Sequence, residues 1–138
     1  MTPEEYEARK AARKASADEA RKAQLAIDLD ALFALEEEHG DGMVKRLDLS
    51  AYFEGLPTLV AVRAPKPVEY KRFRDMIRKA KDKEAQGKAA DLLGTVCRAY
   101  PDADTYAKIL ERFPGVQDTV FKAAAELGDA TIADEGKG

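Results

Sequence analysis

The residues best suited to chemistry are few in this sequence: 138 residues contain one His and one Cys. Nucleophilic catalysis pairs a Ser or Cys with a base, most often His. His39 precedes Gly40 in what looks like the end of a helix, so we interpret it as a solvated turn residue. Cys97 falls on the apolar face of a predicted helix, where a free Cys packs as a small hydrophobic residue. The sequence therefore predicts a protein that is not an enzyme and has no catalytic residues.

The sequence predicts neither a metal site nor a cofactor site. One His and one Cys cannot build a zinc site, and Asp102 and Asp104 lack a loop of further oxygen ligands around them. Helix capping explains this acidic pair more simply. The consecutive residues 36–38 are all Glu, but neighbouring helical positions point in different directions. The glycines lie singly at the ends of predicted elements, so the sequence has no phosphate-binding loop.

The charges are unevenly distributed, although the formal net charge is only -3. Residues 1–42 carry 6 basic and 11 acidic side chains, residues 43–100 carry 13 and 7, and residues 101–138 carry 4 and 8. Seven of the basic residues lie between Lys71 and Lys83. They are compatible with a solvated helix surface, with contact to an acidic protein, or with nucleic-acid binding. The acidic ends of the chain weaken attraction to a polyanion, so nucleic acid is the least favoured partner.

The composition also bears on where the protein works. A single Cys gives no sign of an oxidising compartment. The N-terminal residues lack the order of a signal peptide, and no apolar run approaches the ~20 residues of a membrane span. We therefore expect a protein of the cytosol that does not bind a membrane.

The first predicted region, residues 1–42, is a charged N-terminal helical arm. Residues 4–38 contain no Gly or Pro and are rich in Ala, Glu, Lys, Arg and Leu, which favour a helix. Its first ~20 residues lack a packing face, so we expect them to fray. Its second half has a stripe that we expect to be buried, formed by Leu25, Leu29, Leu32 and Phe33.

The second region, residues 43–128, is predicted to be an α-helical domain with a short β-hairpin over 43–65. Leu47 and Leu49 alternate with charged residues, and residues 59–62 form an apolar, partly β-branched run. The longer connection between these runs has room for a helical turn.

Four helices are predicted after the rigid segment Ala64–Pro67. The first covers 68–83, the second runs to Pro101, the third begins at a cap on Asp102 or Asp104, and the fourth ends at Gly128. Each helix has an apolar face, and these faces are Tyr70, Phe73, Ile77 and Ala80; Ala89, Leu92, Leu93, Val96, Cys97 and Tyr100; Tyr106, Ile109, Leu110 and Phe113; and Val116, Val120, Ala123 and Leu127. Residues 129–138 are predicted to be a disordered tail. The expected fold class is mainly α: a compact helical bundle with a small β-hairpin and a long N-terminal helical arm.

A series of short motifs resembles the tail assembly chaperones of long-tailed bacteriophages. The resemblance lies in the order and spacing of the motifs, which span roughly 80 residues between Leu47 and Gly128. The motifs are Leu47-Asp48-Leu49, Gly55-Leu56-Pro57, Val62-Arg63-Ala64-Pro65 followed by Tyr70 and Phe73, Cys97-Arg98-Ala99-Tyr100-Pro101-Asp102, Leu110-Glu111-Arg112-Phe113-Pro114-Gly115, and Leu127-Gly128. Residues 1–42 depart from it, because this arm is longer and more charged than the resemblance implies.

The resemblance implies a function in phage tail assembly. A protein of this family would bind the long, helical, apolar tape-measure protein in the host cytoplasm, keep it soluble, help to recruit tail-tube subunits, and be absent from the mature virion. Such chaperones often have a longer form made by ribosomal frameshifting. Amphipathic helices with an aromatic and basic surface suit recognition of a helix in a groove. The candidate partner-binding residues are Tyr70, Phe73, Arg74, Tyr106 and Phe113, and the sequence is also compatible with a homo-oligomer.

Two other functions remain open at this point. A structural or adaptor protein of a phage particle would use the N-terminal helix as a docking arm. A small nucleic-acid-binding regulator would use residues 71–83, and its binding would weaken steeply with salt.

Overall fold

The computed structural model describes the backbone of residues 1–137 and the side chains of residues 1–129. Within this part of the chain, helices predominate and one three-stranded antiparallel sheet is present, which confirms the predicted fold class. The predicted disordered tail, 129–138, falls almost entirely outside the residues described with side chains. The elements are α1 Pro3–His39, a short 3-10 helix Asp41–Met43, β1 Val44–Asp48, β2 Leu59–Arg63, α2 Pro67–Lys79, α3 Lys83–Cys97, β3 Arg98–Tyr100, α4 Ala103–Arg112 and α5 Val116–Lys137.

The arm is one continuous helix, α1, from its first turn. Thr2 caps this helix, because its hydroxyl accepts a hydrogen bond of 3.1 Å from the backbone N–H of Glu5. Pro3 follows at the position where a missing N–H costs nothing. The helix ends at His39, and Gly40 caps it with a φ of 101°, which lies in the region that favours glycine. The first twenty residues, expected to fray, are therefore helical in the structure.

The predicted hairpin is present as β1 and β2. The two strands are antiparallel, with Val44 opposite Arg63 and Asp48 opposite Leu59. Their connection contains a hydrogen-bonded turn between Phe53 and Leu56, with Gly55 at a φ of 85°. No helix forms in this connection, where we had expected room for a helical turn.

A third strand, β3, corrects the predicted extent of the second helix of the domain. Tyr100 was assigned to the apolar face of that helix, but the helix ends at Cys97 and Tyr100 pairs with Ala61 of β2. Two physical reasons favour this outcome. The residue before a proline avoids helical backbone angles, and the free edge of β2 offers hydrogen-bond partners to an extended segment.

The other helix boundaries also differ in detail from the predicted ones. The basic helix predicted over 68–83 ends at Lys79. The next helix begins at Lys83, where Asp82 caps it by accepting a 2.8 Å hydrogen bond from the N–H of Ala85. Asp102 caps α4 in the same way, as predicted, through the N–H of Thr105 at 2.7 Å.

The last helix was predicted to end at Gly128, but α5 continues past this residue. The glycine instead admits the ring of Tyr70, which would lie 2.8 Å from a Cβ at this position. The absence of a side chain therefore serves packing between α2 and α5.

The main core lies between the hairpin, α3, α4 and α5. Helices α3 and α5 approach each other closely at Gly94, where a Cβ would lie 3.1 Å from the Gln117 amide nitrogen and 3.4 Å from the Phe121 backbone nitrogen. The main core is defined by its buried residues, which are Leu49, Leu56, Val60, Val62, Leu93, Cys97, Tyr106, Ile109, Val120, Ala123 and Ala124.

Helix α1 packs on the sheet through a different face from the one predicted. Of the four residues of the predicted stripe, Leu32 is buried, but Phe33 is 64% exposed and Leu29 is 38% exposed. The centre of the contact is Asp28, which is fully buried. Its carboxylate accepts hydrogen bonds from the Thr58 N–H and hydroxyl, both at 2.6 Å, and from the Tyr100 hydroxyl. The face of α1 that meets the sheet is thus the face that carries Asp28, and its hydrogen bonds allow this carboxylate to be buried.

Candidate protein-binding site

Helix α2 is the least buried helix of the domain. Its apolar residues Tyr70, Phe73, Met76 and Ile77 are only half-buried, and none of its side chains is fully buried. It nevertheless packs against α3. Because α2 covers α3 incompletely, an open groove remains between the two helices.

The α2–α3 groove is a mainly apolar cavity of about 280 Å³. Leu92 and Val96 of α3 lie in it and are each 37% exposed, although they belong to an otherwise well-packed helix. Covering this surface would be favourable, since burial of apolar area stabilises by ~25 cal/mol per Å². The lining residues are Glu69, Arg72, Phe73, Met76, Ala89, Leu92, Leu93 and Val96.

The charged rim of the groove is predominantly basic. Its acidic residue, Glu69, accepts two hydrogen bonds from Arg63, at 2.8 and 2.9 Å, and these hold the pKa of the Glu69 carboxyl below its ordinary value. Arg72 is exposed at the groove and also lines an adjoining shallow depression, whose other charged residues are Lys71, Asp75 and Lys79. Asp75 is paired with Arg78 at 2.7 Å, so both carboxylates at the rim have an arginine partner. The rim therefore favours a ligand that carries negative charge beside its apolar surface.

A second cavity, of about 390 Å³, lies between α2 and the end of the described part of α5. Tyr70 and Arg74, two of the predicted partner-binding residues, line it together with Leu127 and Gly128. The Tyr70 hydroxyl donates to Asp129, and this hydrogen bond raises the pKa of the tyrosine above its ordinary value. Tyr70 is thus held in place by contacts within the chain.

The five predicted partner-binding residues do not lie together. Phe73 lines the α2–α3 groove, with its ring centroid 6.0 Å from that of Tyr70 and 5.5 Å from that of Phe121. Tyr106 is buried in the main core, where burial raises its pKa to about 12, and its hydroxyl lies 2.6 Å from the Gln117 side-chain oxygen. Phe113 packs against Phe53, with ring centroids 5.7 Å apart, and lines a separate cavity of about 200 Å³ beside β1.

Sequence reasoning missed Met76, Leu92 and Val96 as candidate site residues. Leu92 and Val96 were assigned to the apolar face of a helix and so counted as core. A signal for their exposure was present, because the adjacent pair Leu93 and Cys97 already provides an apolar row at helical spacing. A second row beside it exceeds what one packing face needs.

Cys97 and His39, the two residues considered for chemistry in the sequence, lie in different surroundings. Cys97 is fully buried, and burial raises the pKa of its thiol to about 11, so the reactive thiolate is scarce at neutral pH. His39 lies at the C-terminal end of α1, 3.9 Å from a carboxylate oxygen of Glu38. Among the described residues, acidic, His and Cys side chains form no group of three or more suited to hold a metal ion.

The N-terminal half of α1 projects from the rest of the protein. Residues 1–19 are all exposed, and the helix first meets the hairpin region near Arg21, which donates to the carbonyl oxygen of Leu49 at 3.1 Å. At 1.5 Å per residue, the projecting part is roughly 30 Å long. In the part of the chain that the structure describes, no helix has the length and apolar character needed to cross a membrane.

Comparisons with protein-family models, with curated proteins and with solved structures found no match to this chain.

Proposed function

We propose that this protein is a tail assembly chaperone of a long-tailed bacteriophage, and that its α2–α3 groove binds an amphipathic helix of the tape-measure protein. The observation that carries the proposal is the open apolar groove with its basic rim. The resemblance of the ordered motifs between Leu47 and Gly128 to this family supports the choice of partner.

The shape and lining of the groove suit a helix as ligand. Leu92 and Val96 are four residues apart on α3, and Phe73 and Met76 are three apart on α2, so both walls present rows of apolar side chains. A helical ligand with apolar residues three and four apart could place them between these rows. Such a contact would cover apolar surface that a tape-measure protein must otherwise expose before the tube assembles around it.

The basic rim gives the interaction a preference among helices. Arg72, Lys71 and Lys79 favour a segment whose apolar stripe is flanked by Asp or Glu. Binding would take place in the host cytoplasm and would end when tail-tube subunits replace the chaperone, so the protein would be absent from the mature virion. Recruitment of those subunits is the second part of the proposed function.

A structural adaptor is the second candidate, and the projecting half of α1 favours it. Residues 1–19 are exposed on every face of the helix, so they have no packing role within the chain. An adaptor would remain in the particle and use this segment as a docking arm. Detection of the protein in purified virions would support the adaptor over the chaperone.

The test is co-expression with the tape-measure protein of the same phage, followed by size-exclusion chromatography with light scattering. We expect a soluble complex, and aggregation of the tape-measure protein when it is expressed alone. A tape-measure protein that stays soluble alone and does not co-elute would contradict the chaperone function.

A pair of variants on α3 locates the binding site. Leu92→Asp places a charge in the groove and should weaken binding about tenfold or more. Thr95→Asp introduces the same side chain at an exposed position of the same helix outside the groove. Equal binding by the two variants, with unchanged circular dichroism, would place the site elsewhere.

A further inference from the structure

The second half of α1 exposes an apolar surface that neither the fold nor the proposed function uses. Phe33 and Leu29 are four residues apart and both exposed, so they share one face of the helix. Ala26, Asp30 and Glu37 lie at helical spacing around them and are also exposed. We call these five residues the acidic strip.

The charge of the acidic strip is opposite to that of the α2–α3 groove. Between Lys22 and Lys45 the chain has no Lys or Arg, whereas Asp and Glu recur throughout this segment. The groove has Arg72 at its edge, with Lys71 and Lys79 beside it, while its two carboxylates, Glu69 and Asp75, are paired with Arg63 and Arg78. An apolar pair flanked by carboxylates and an apolar groove flanked by cations are complementary in both respects.

The acidic strip does not occupy the groove of its own chain. Phe33 is 64% exposed, and the groove of about 280 Å³ is open in the same structure. Both surfaces are therefore available to other molecules at the same time. Every copy of the protein carries both halves of a complementary contact.

We infer that the acidic strip of one copy docks into the α2–α3 groove of a second copy. Phe33 enters the cavity between Phe73 and Leu92, and the carboxylates of Asp30 and Glu37 face the basic rim. The self-association stands on these surfaces alone. Its consequence for the tape-measure protein rests on the proposed function: self-docking and helix binding compete for one groove, so a free chaperone keeps its groove covered until a helical partner displaces the second copy.

The first measurement is light scattering of the purified full-length protein over a range of protein concentrations. We expect the mass to rise with concentration above the 15.1 kDa of one chain, and the rise to be smaller at high salt. A mass of one chain throughout the micromolar to millimolar range would overturn the inference.

Two exposed apolar residues of α1 provide a matched pair of variants. Phe33→Asp should raise the dissociation constant of self-association at least about 30-fold, as expected for loss of an aromatic anchor. Ile27→Asp changes a residue of similar exposure, 60%, on another face of the same helix and should have little effect. Greater disruption by Ile27→Asp than by Phe33→Asp would overturn the inference.

Reversal of charge tests the orientation of the contact. A variant with Asp30→Lys and Glu37→Lys should associate less, as should a variant with Arg72→Glu and Lys79→Glu. Combining all four substitutions in one chain should restore association, and failure to restore it would contradict the assigned pairing.

The tape-measure protein separates this inference from the proposed function. Phe33→Asp should bind the tape-measure protein at least as well as the unmodified chain, because its groove is no longer covered. Self-association without any tape-measure binding would contradict the proposed function and leave the self-docking intact. Tape-measure binding by a protein that is always monomeric would contradict the self-docking and leave the proposed function intact.

Discussion

The main core and the contact beneath α1 hold their helices by different means. In the main core, α3 and α5 meet through buried apolar side chains and approach each other closely at Gly94. Beneath α1, a small apolar cluster around Leu32 and Val44 lies beside the buried carboxylate of Asp28. The hydrophobic effect is non-directional, whereas hydrogen bonds require particular positions of donor and acceptor. The main core therefore supplies stability, whereas Asp28 fixes the direction of the arm.

The largest effect is expected from a cavity in the main core. Ile109→Ala removes a fully buried side chain and should lower the free energy of unfolding by about 2–5 kcal/mol. Chemical denaturation followed by circular dichroism measures this change. Lys108→Ala, at the adjacent exposed position, is the control and should change stability by less than ~0.5 kcal/mol. Similar losses for the two variants would contradict the assignment of the main core.

A smaller and more local effect is expected at Asp28. Asp28→Ala leaves the Thr58 N–H, the Thr58 hydroxyl and the Tyr100 hydroxyl without their acceptor, at a cost of about 1–3 kcal/mol. The loss should fall mainly on the contact between α1 and the sheet. Hydrogen exchange should therefore accelerate in α1 and remain slow in α3 and α5. Asp18→Ala, a substitution at an exposed position of the same helix, is the control. If hydrogen exchange in α1 were unchanged in the Asp28→Ala variant, the carboxylate would not hold the arm.

The smallest effect is expected from acid, at the Arg63–Glu69 pair beside the groove. The folded state lowers the pKa of the Glu69 carboxyl, chiefly through the hydrogen bonds from Arg63, so the pair stabilises the fold above the unfolded pKa of about 4.5. This contribution is lost as the pH falls below that value. When the pH is lowered from 7 to 3, the free energy of unfolding should fall further in the unmodified protein than in the Glu69→Gln variant, by about 1 kcal/mol or less. Denaturation curves at the two pH values test this, and an identical pH dependence would mean that the pair adds nothing.

The regular elements could be predicted from the sequence because they follow from local patterns. The composition of residues 4–38 gives α1, alternation gives the hairpin, and apolar spacing with caps such as Asp102 gives the helices of the domain. β3 could not be predicted, since its three residues pair with a strand far away in sequence and carry no pattern of their own. The buried face of α1 was also missed, because hydropathy assigns Asp28 to the surface. Its burial depends on Thr58 and Tyr100, which are distant in sequence, in addition to the nearby Gln24.

The candidate site was predicted only in part, for a related reason. Phe73 was identified as a binding residue and lines the groove, but Tyr106 is a core residue and Tyr70 is fixed by contacts with Gly128 and Asp129. An amphipathic pattern shows that a face is apolar without showing what covers it. Whether Leu92 and Val96 are buried depends on how far α2 extends over α3, which is a property of the tertiary structure.

The unbroken length of α1 has a mechanical consequence. A helix of 37 residues spans about 55 Å, and its second half is fixed to the sheet through Asp28. The first half continues the same helix without a break, so no hinge separates the N-terminal end of α1 from the part that is fixed to the sheet. A molecule bound near Glu4 would therefore be held at a fixed distance and in a fixed direction from the hairpin. The arm would act as a rigid spacer between two bound molecules, whereas a flexible linker would only keep them close to each other.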